Sequence, residues 1–347
     1  MRALAVKPMQ RGSAALLDVP EPNGDGALVR VLAVGICGTD REILDGQYGS
    51  APAGQAHLVL GHECLGEVID PAGSSLRRGD LVVGIVRHPD PVPCPACAAG
   101  EWDMCRNGQY VEHGIKSLDG FCTERFRASP EFLVRIDPAL RESGVLLEPA
   151  SVVAKAWDHI ERIGARSQAW NPRRVLVTGA GPIGLLAALM SKQRGCEVHV
   201  YDRTEVGTKP ELVRALGGEY HTGSIESLHA LAPDVVLECT GAAPVIVGVI
   251  GNNAPGAIVC LTGLSSGSHR IKYDFTEMNR TMVLENDVVF GTVNANRRHY
   301  ELAAASLAKA DQAWLRRMIT RRVPLDRWEG ALERQPDDIK VVIDFCL

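Results

Sequence analysis

Arg174-Val175-Leu176-Val177-Thr178-Gly179-Ala180-Gly181-Pro182-Ile183-Gly184 is the stretch on which the fold turns. An apolar, β-branched run passes into G-x-G-x-x-G, and the pattern from Pro182 to Gln193 is helical. The first glycine permits a tight turn, the second lets the backbone approach a pyrophosphate, and the third allows close helix–strand packing. The helix N-terminus adds N–H donors and a partial positive charge. Such a glycine pattern is weak by itself. Here a strand precedes it, a helix follows, and Asp202 closes the next strand at the expected spacing of about 20 residues. Gly179, Gly181, Pro182, Ile183 and Gly184 are therefore expected to bind a dinucleotide, rather than form a purely structural turn. Asp202 at that strand end suits a free ribose and favours NAD, whereas Arg203 suits a 2′-phosphate, so NADP is tolerated. The other reading of Arg203 is a solvated loop cation.

Outward from this motif, apolar strands alternate with helical stretches. The strands run over 175–178, 197–201, 235–239, 257–262 and 288–291, with crossovers at 182–193, 210–216 and 243–252. Parallel strands need such crossovers, so the pattern predicts a doubly wound parallel sheet of the α/β class. Towards the N-terminus, β-type segments at 27–34, 64–69, 81–86 and 132–136 are broken by Gly and Pro, which predicts an irregular, mostly antiparallel β domain. The pattern turns helical over 146–162. The tail carries a helix at 300–308 and a strand at 339–345, which is expected to return to the first domain. The expected domains are 1–160 with 295–347, and 161–294.

Composition narrows the function classes. The 347 residues are 46% hydrophobic and 23% charged, ordinary for two globular domains, and disorder and coiled coil are disfavoured. A net charge of −5 without a basic block argues against nucleic acid as a partner, and aromatics at 5% are too sparse for a base-stacking platform. No apolar run reaches the roughly 18 residues that a membrane helix needs. The N-terminus has no export signal, so the ten cysteines read as thiols or metal ligands in a cytoplasmic protein. No phosphate-binding G-x-x-x-x-G-K is present.

Two constellations suit metal. Cys37 lies in Gly35-Ile36-Cys37-Gly38-Thr39-Asp40, and His62 and Glu63 follow in Gly61-His62-Glu63. Glu148 sits in the apolar stretch Leu146-Leu147-Glu148-Pro149, where an unpaired acid is costly to bury. Thiolate, imidazole and carboxylate fit a catalytic zinc with one open position; a buried Cys and a helix-capping Glu fit the same spacing. Cys94-x2-Cys97-x7-Cys105 has zinc-knuckle spacing but supplies three of the four ligands that a closed site wants.

Together, Cys37-Gly38-Thr39-Asp40, Gly61-His62-Glu63, the later cysteines and the Gly179 fingerprint resemble the zinc-containing medium-chain dehydrogenase superfamily over essentially the whole chain. The resemblance is sharper to its glucose (aldose) 1-dehydrogenases. It is carried by Gly114-Ile115-Lys116-Ser117-Leu118-Asp119-Gly120-Phe121, Leu147-Glu148-Pro149-Ala150-Ser151-Val152-Val153, Gly291-Thr292-Val293-Asn294-Ala295-Asn296 and Asp337-Asp338-Ile339-Lys340-Val341-Val342. The resemblance implies a β-rich GroES-like catalytic domain and a Rossmann doubly wound domain. It implies catalytic zinc at Cys37, His62 and Glu148, with Glu63 as an exchanging ligand or water-mediated neighbour. Thr39 matches the hydroxyl that takes the substrate proton, Glu112 an acid that contacts sugar hydroxyls, and Asn294 a residue at nicotinamide and substrate. Thr240, Thr262 and Thr292 complete the expected cofactor-binding set.

The superfamily's structural lobe reads C-x2-C-x2-C-x7-C, and its first position falls here on Pro91. Asp90 is offered instead, as the oxygen ligand of a second zinc with Cys94, Cys97 and Cys105; a loop of free thiols is the alternative. His57 and His113 read as surface or packing residues. The implied activity is hydride transfer from C1 of a glucose-like sugar to NAD(P), giving a lactone. A polyol or cyclitol dehydrogenase with the same zinc and cofactor is the second reading. A non-catalytic dinucleotide-binding redox sensor is the third, disfavoured by the intact set Cys37, His62, Glu63, Glu148 and Thr39. A homo-oligomer, dimer or tetramer, is expected.

Overall fold

The computed structural model describes residues 1–265 and 270–347 and resolves the chain into two compact units, 1–151 with 294–347, and 152–293. The first unit is built on a seven-stranded, mostly antiparallel sheet whose central strand is Ala27–Ile36. Its length follows from an apolar, β-branched run, and its last six residues are buried. Glu63–Asp70 pairs antiparallel along one side, with Gly35 opposite Glu63. The tail strand Lys340–Asp344 pairs antiparallel along the other, with Val341 opposite Ile36, and also lies parallel to Ile319–Pro324. Leu4, Val34, Cys64, Val82, Phe121 and Ile343 belong to the buried core of this unit.

The central strand ends where the site begins. Cys37 caps the helix Gly38–Leu44: its thiol accepts from the Thr39 N–H, and Asp40 Oδ2 accepts from the Cys37 N–H in return. Gly35 is required by a close approach, since a Cβ there would lie 2.1 Å from Glu63 Oε2.

The second unit is a six-stranded, fully parallel sheet. Its strands run in the order Glu219–His221, Glu197–Tyr201, Arg174–Thr178, Val235–Glu238, Ile258–Leu261 and Val288–Gly291. The order reverses direction at Arg174–Thr178, the topological switch point of a doubly wound sheet, and the glycine turn follows that strand. The first helix, Pro182–Gln193, is buried along Gly184–Ser191. The edge strand Glu219–His221 and the helix Phe275–Glu285 add to the pattern read from the sequence. Among the described residues no helix is long and apolar enough to cross a membrane.

Candidate active site

In the first unit, Cys37, His62 and Glu63 offer ligand atoms within 4.8 Å of one another. Cys37 Sγ and His62 Nε2 stand 3.0 Å apart. The other ring nitrogen of His62 faces Asp40 Oδ1 at 3.3 Å, so the carboxylate fixes the ring with Nε2 turned to the thiol. Both Asp40 and His62 are buried. Burial opposes charge on the imidazole, yet Asp40 and Cys37 outweigh it and hold the His62 pKa well above the usual value. Burial likewise opposes charge on Asp40, but His62 keeps its carboxyl below the usual range. Asp40 and Cys37 together favour positive charge at the buried imidazole. The field that retains a proton there suits a divalent cation, and the sulfur–nitrogen donor set is that of zinc.

Glu63 is held differently. Lys340 Nζ, from the tail strand, donates to both of its carboxylate oxygens at 2.7 and 2.5 Å, and both side chains are almost fully buried. Glu148, at the start of the helix Leu147–Gly164, stands outside the Cys37–His62–Glu63 trio but within its field. Burial pushes its carboxyl up to about 7, with His62 pulling it down and Glu63 pushing it up. Thr39 is half-buried on the first turn after Cys37.

A second polar group in the same unit joins residues far apart in sequence. Glu112 is buried, and its Oε1 accepts from Arg87 Nε at 3.0 Å and from Asn294 Nδ2 at 2.8 Å. Asn294 has a left-handed backbone (φ 61°), a conformation that Asn tolerates, and its own Oδ1 accepts from the Ala295 N–H. His113 is buried against Phe121 and His88, with Nδ1 2.6 Å from the Asp119 carbonyl, whereas His57 is half-buried.

Cys94, Cys97 and Cys105 converge within 4.8 Å. The backbone N–H groups of Arg106 and Cys97 pull the Cys94 thiol down to about 6, and burial pushes Cys97 up to about 11. Asp90 lies outside this trio. Its Oδ1 accepts from the Val92 N–H at 2.8 Å, while its buried Oδ2 has no hydrogen-bond partner among the described residues. The Asp90 backbone hydrogen-bonds to the Cys97 thiol, and an orphaned buried carboxylate oxygen on that residue is compatible with a fourth ligand.

In the second unit, Gly179 has φ 90°, and a Cβ on Gly184 would strike the Gly179 carbonyl at 1.7 Å. A Cβ on Gly181 would meet nothing within 4 Å, which leaves open space at the N-terminus of the helix that Pro182 and Ile183 begin. The residues present thus fit a pyrophosphate. Asp202 is committed to this turn: Oδ2 accepts from the Ala180 N–H at 2.7 Å and Oδ1 from the Thr204 N–H at 2.9 Å, with Lys209 at 3.8 Å. Arg203 is exposed. Thr240 donates to the buried Glu238 through backbone and hydroxyl, Thr262 Oγ1 donates to the Glu238 carbonyl at 2.8 Å, and Thr292 Oγ1 is buried without a partner among the described residues. Glu238 also accepts from Thr178 and Gly241, so one acid braces the strand ends around the glycine turn.

Sequence reading assigned no role to Asp40, Lys340, Arg87 or Glu238. Asp40 is recoverable from its helical spacing to Cys37. Lys340 and Arg87 lie 277 and 25 residues from their partners, and nothing local marks those pairings.

A family model of the alcohol dehydrogenase GroES-like domain matches residues 23–138, and one of the glucose dehydrogenase C-terminus matches 141–345. The chain is 39% identical to the glucose 1-dehydrogenase of Methanocella arvoryzae over 361 residues and to that of Thermoproteus tenax over 352, covering 99% of each protein in both pairs. Glucose dehydrogenase from Haloferax mediterranei, solved in complex with NADP, Zn and gluconolactone, superposes with a TM-score of 0.90 at 31% identity over 99% of both chains.

Proposed function

The chain belongs to the glucose dehydrogenase family of zinc-containing medium-chain dehydrogenases, and from that premise we propose that it oxidises C1 of a glucose-like aldose with NAD(P), giving the lactone. The convergence of Cys37 and His62 beside two further carboxylates carries this reading. Zinc held by Cys37 and His62, with Glu148 or Glu63 completing the set, would supply Lewis acidity at the sugar hydroxyl, and the nicotinamide would take the hydride.

The rest is work for the chain's own residues. Asp40 fixes the tautomer and tilt of His62. Lys340 draws both oxygens of Glu63 towards the tail strand, so Glu148 is the freer carboxylate. Thr39 offers a hydroxyl next to Cys37 to take the substrate proton. A sugar must be read by several polar groups, because an unpaired buried donor or acceptor costs about 1–3 kcal/mol. Glu112, braced by Arg87 and Asn294, is the acid we assign to that task. Cys94, Cys97, Cys105 and Asp90 would hold a second, structural zinc. Asp202, already bonded to two backbone N–H groups and close to Lys209, repels a 2′-phosphate only in part, which supports use of both NAD and NADP.

We assign the catalytic role to residues 1–160 with 295–347 and cofactor binding to 161–294. The chain forms a dimer or tetramer. The helix Phe275–Glu285 has no buried residue, and Phe275, Val283 and Leu284 on it are exposed, next in sequence to the edge strand Val288–Gly291; a second copy would cover them. Mass photometry showing only single chains would contradict this. A panel of aldoses and polyols, scored by reduced nicotinamide with each cofactor, tests the activity: turnover confined to polyols would replace the aldose reading with the polyol one.

A further inference from the structure

The second unit carries a cluster that neither the cofactor nor the sugar chemistry uses. Two three-residue stretches, Glu197-Val198-His199 and Glu219-Tyr220-His221, repeat the pattern E-x-H on adjacent parallel strands. The register pairs His199 with Glu219 and Tyr201 with His221. Because side chains alternate across a strand, both pairs stand on one face of the sheet, at its edge. We propose that His199, His221 and Glu219 form a further binding site for a divalent transition metal of the zinc class, with Glu197 orienting His199.

The geometry is that of a ligand set. His199 Nδ1 lies 2.9 Å from His221 Nε2 and 3.6 Å from Glu219 Oε2, and His221 Nε2 lies 3.8 Å from Glu219 Oε1. Zinc bonds of about 2.0–2.1 Å at a tetrahedral angle put two ligand atoms about 3.3 Å apart, so shifts of a few tenths of an ångström suffice. The outer partner is also present: His199 Nε2 is 3.0 Å from Glu197 Oε1. A carboxylate there keeps the proton on Nε2, which leaves the Nδ1 lone pair facing His221 and Glu219, as in carboxylate–histidine–metal arrangements. His199 is buried, His221 largely so, and Glu219 is exposed, so the site is anchored on the sheet and open to solvent for loading. Two imidazoles and one carboxylate select zinc and its neighbours rather than calcium or magnesium, and leave one position for water. Bound metal would tie the three-residue edge strand Glu219–His221 to its neighbour.

The test uses untagged full-length protein, stripped with a chelator and dialysed to equilibrium against micromolar zinc. Metal per chain is counted for wild type, His221→Gln and Glu219→Gln, the last replacing an exposed side chain that the fold does not need. Wild type is expected to hold one more zinc per chain than either variant, with sugar turnover the same in all three. The Cys37–His62 and Cys94–Cys97–Cys105 sites contribute equally to all three and cancel, so the difference does not depend on the proposed activity. Loaded with copper, wild type is expected to give an electron paramagnetic resonance signal with nitrogen couplings that His221→Gln loses. Equal zinc content in wild type and both variants would overturn the proposal and leave the short His199–His221 contact as a shared proton.

Discussion

Lys340→Met removes the sole cation that touches Glu63 among the described hydrogen bonds and ion pairs, and the structure sets the size of the consequence. Lys340 Nζ sits 2.7 and 2.5 Å from the two carboxylate oxygens and 3.4 Å from the Ile36 carbonyl, with both side chains about 2% exposed or less. At roughly 3 Å and an effective dielectric of about 20, the attraction is about 5 kcal/mol, most of it offset by the desolvation of both ions. Removing one partner leaves the other charge buried and uncompensated, which costs about 3–5 kcal/mol. The surroundings cannot relax to bring in water cheaply, because a methyl group at Gly35 would already collide with Glu63 Oε2. Urea unfolding of metal-stripped protein, followed through Trp328 against the core of the first unit, reads the loss. The double variant Glu63→Gln, Lys340→Met removes both charges and is expected to recover more than half of it. A single Lys340→Met that loses less than about 1 kcal/mol, within the range of ordinary surface changes, would refute the view that this pair is a closed, buried unit.

Asp202→Asn removes a charge-assisted acceptor from the Ala180 and Thr204 N–H groups, so dinucleotide affinity should fall for both cofactors, by about 1–2 kcal/mol, while the ratio of NADP to NAD kcat/KM rises; an unchanged ratio measured by initial rates would remove Asp202 from cofactor choice. Cys97→Ser should lower thermal stability more than turnover, and wild type purified without chelator should hold about two zinc ions outside the His199 site if Asp90 is a ligand; about one would retire Asp90. His88 and His113 are held neutral by burial, at about 3 and about 4, well below the usual 6.5. With folded values depressed, their contribution is complete above about pH 6.5 and is lost as pH falls towards 4, and for His113 it is on the order of 3 kcal/mol. Nuclear magnetic resonance of ring nitrogens should find both rings neutral at mildly acidic pH; either ring titrating near 6.5 would contradict this.

The parallel sheet was legible because each of its signals is local. The strands at 197–201 and 288–291 and the helix at 182–193 fall where apolar runs, glycines and a proline put them. The edge strand Glu219–His221 escaped because three polar and aromatic residues carry no period. The helix Phe275–Glu285 escaped because none of its residues is fully buried among the described residues and only Met278 and Met282 give it a half-buried apolar edge, too short a stripe to mark it. In the site, Cys37, His62 and Glu63 announce themselves by residue type and glycine context. Their supports do not: Lys340 reaches Glu63 only after the tail strand registers Val341 against Ile36, and Asn294 meets Glu112 across 182 residues. Asp202 shows the converse, a residue found correctly as the end of a strand whose carboxylate proves to be occupied by the backbone of the glycine turn.

The most direct measurement follows the hydrogen itself. Glucose deuterated at C1 is incubated with zinc-loaded protein and NADP, and both products are examined by mass spectrometry and nuclear magnetic resonance. The expected result is reduced cofactor carrying one deuterium on the nicotinamide ring, equimolar lactone or its hydrolysed acid, and neither product with Cys37→Ser or His62→Ala, which still bind the cofactor. Reduced cofactor free of deuterium, or unchanged turnover in those two variants, would contradict zinc-dependent hydride transfer from C1.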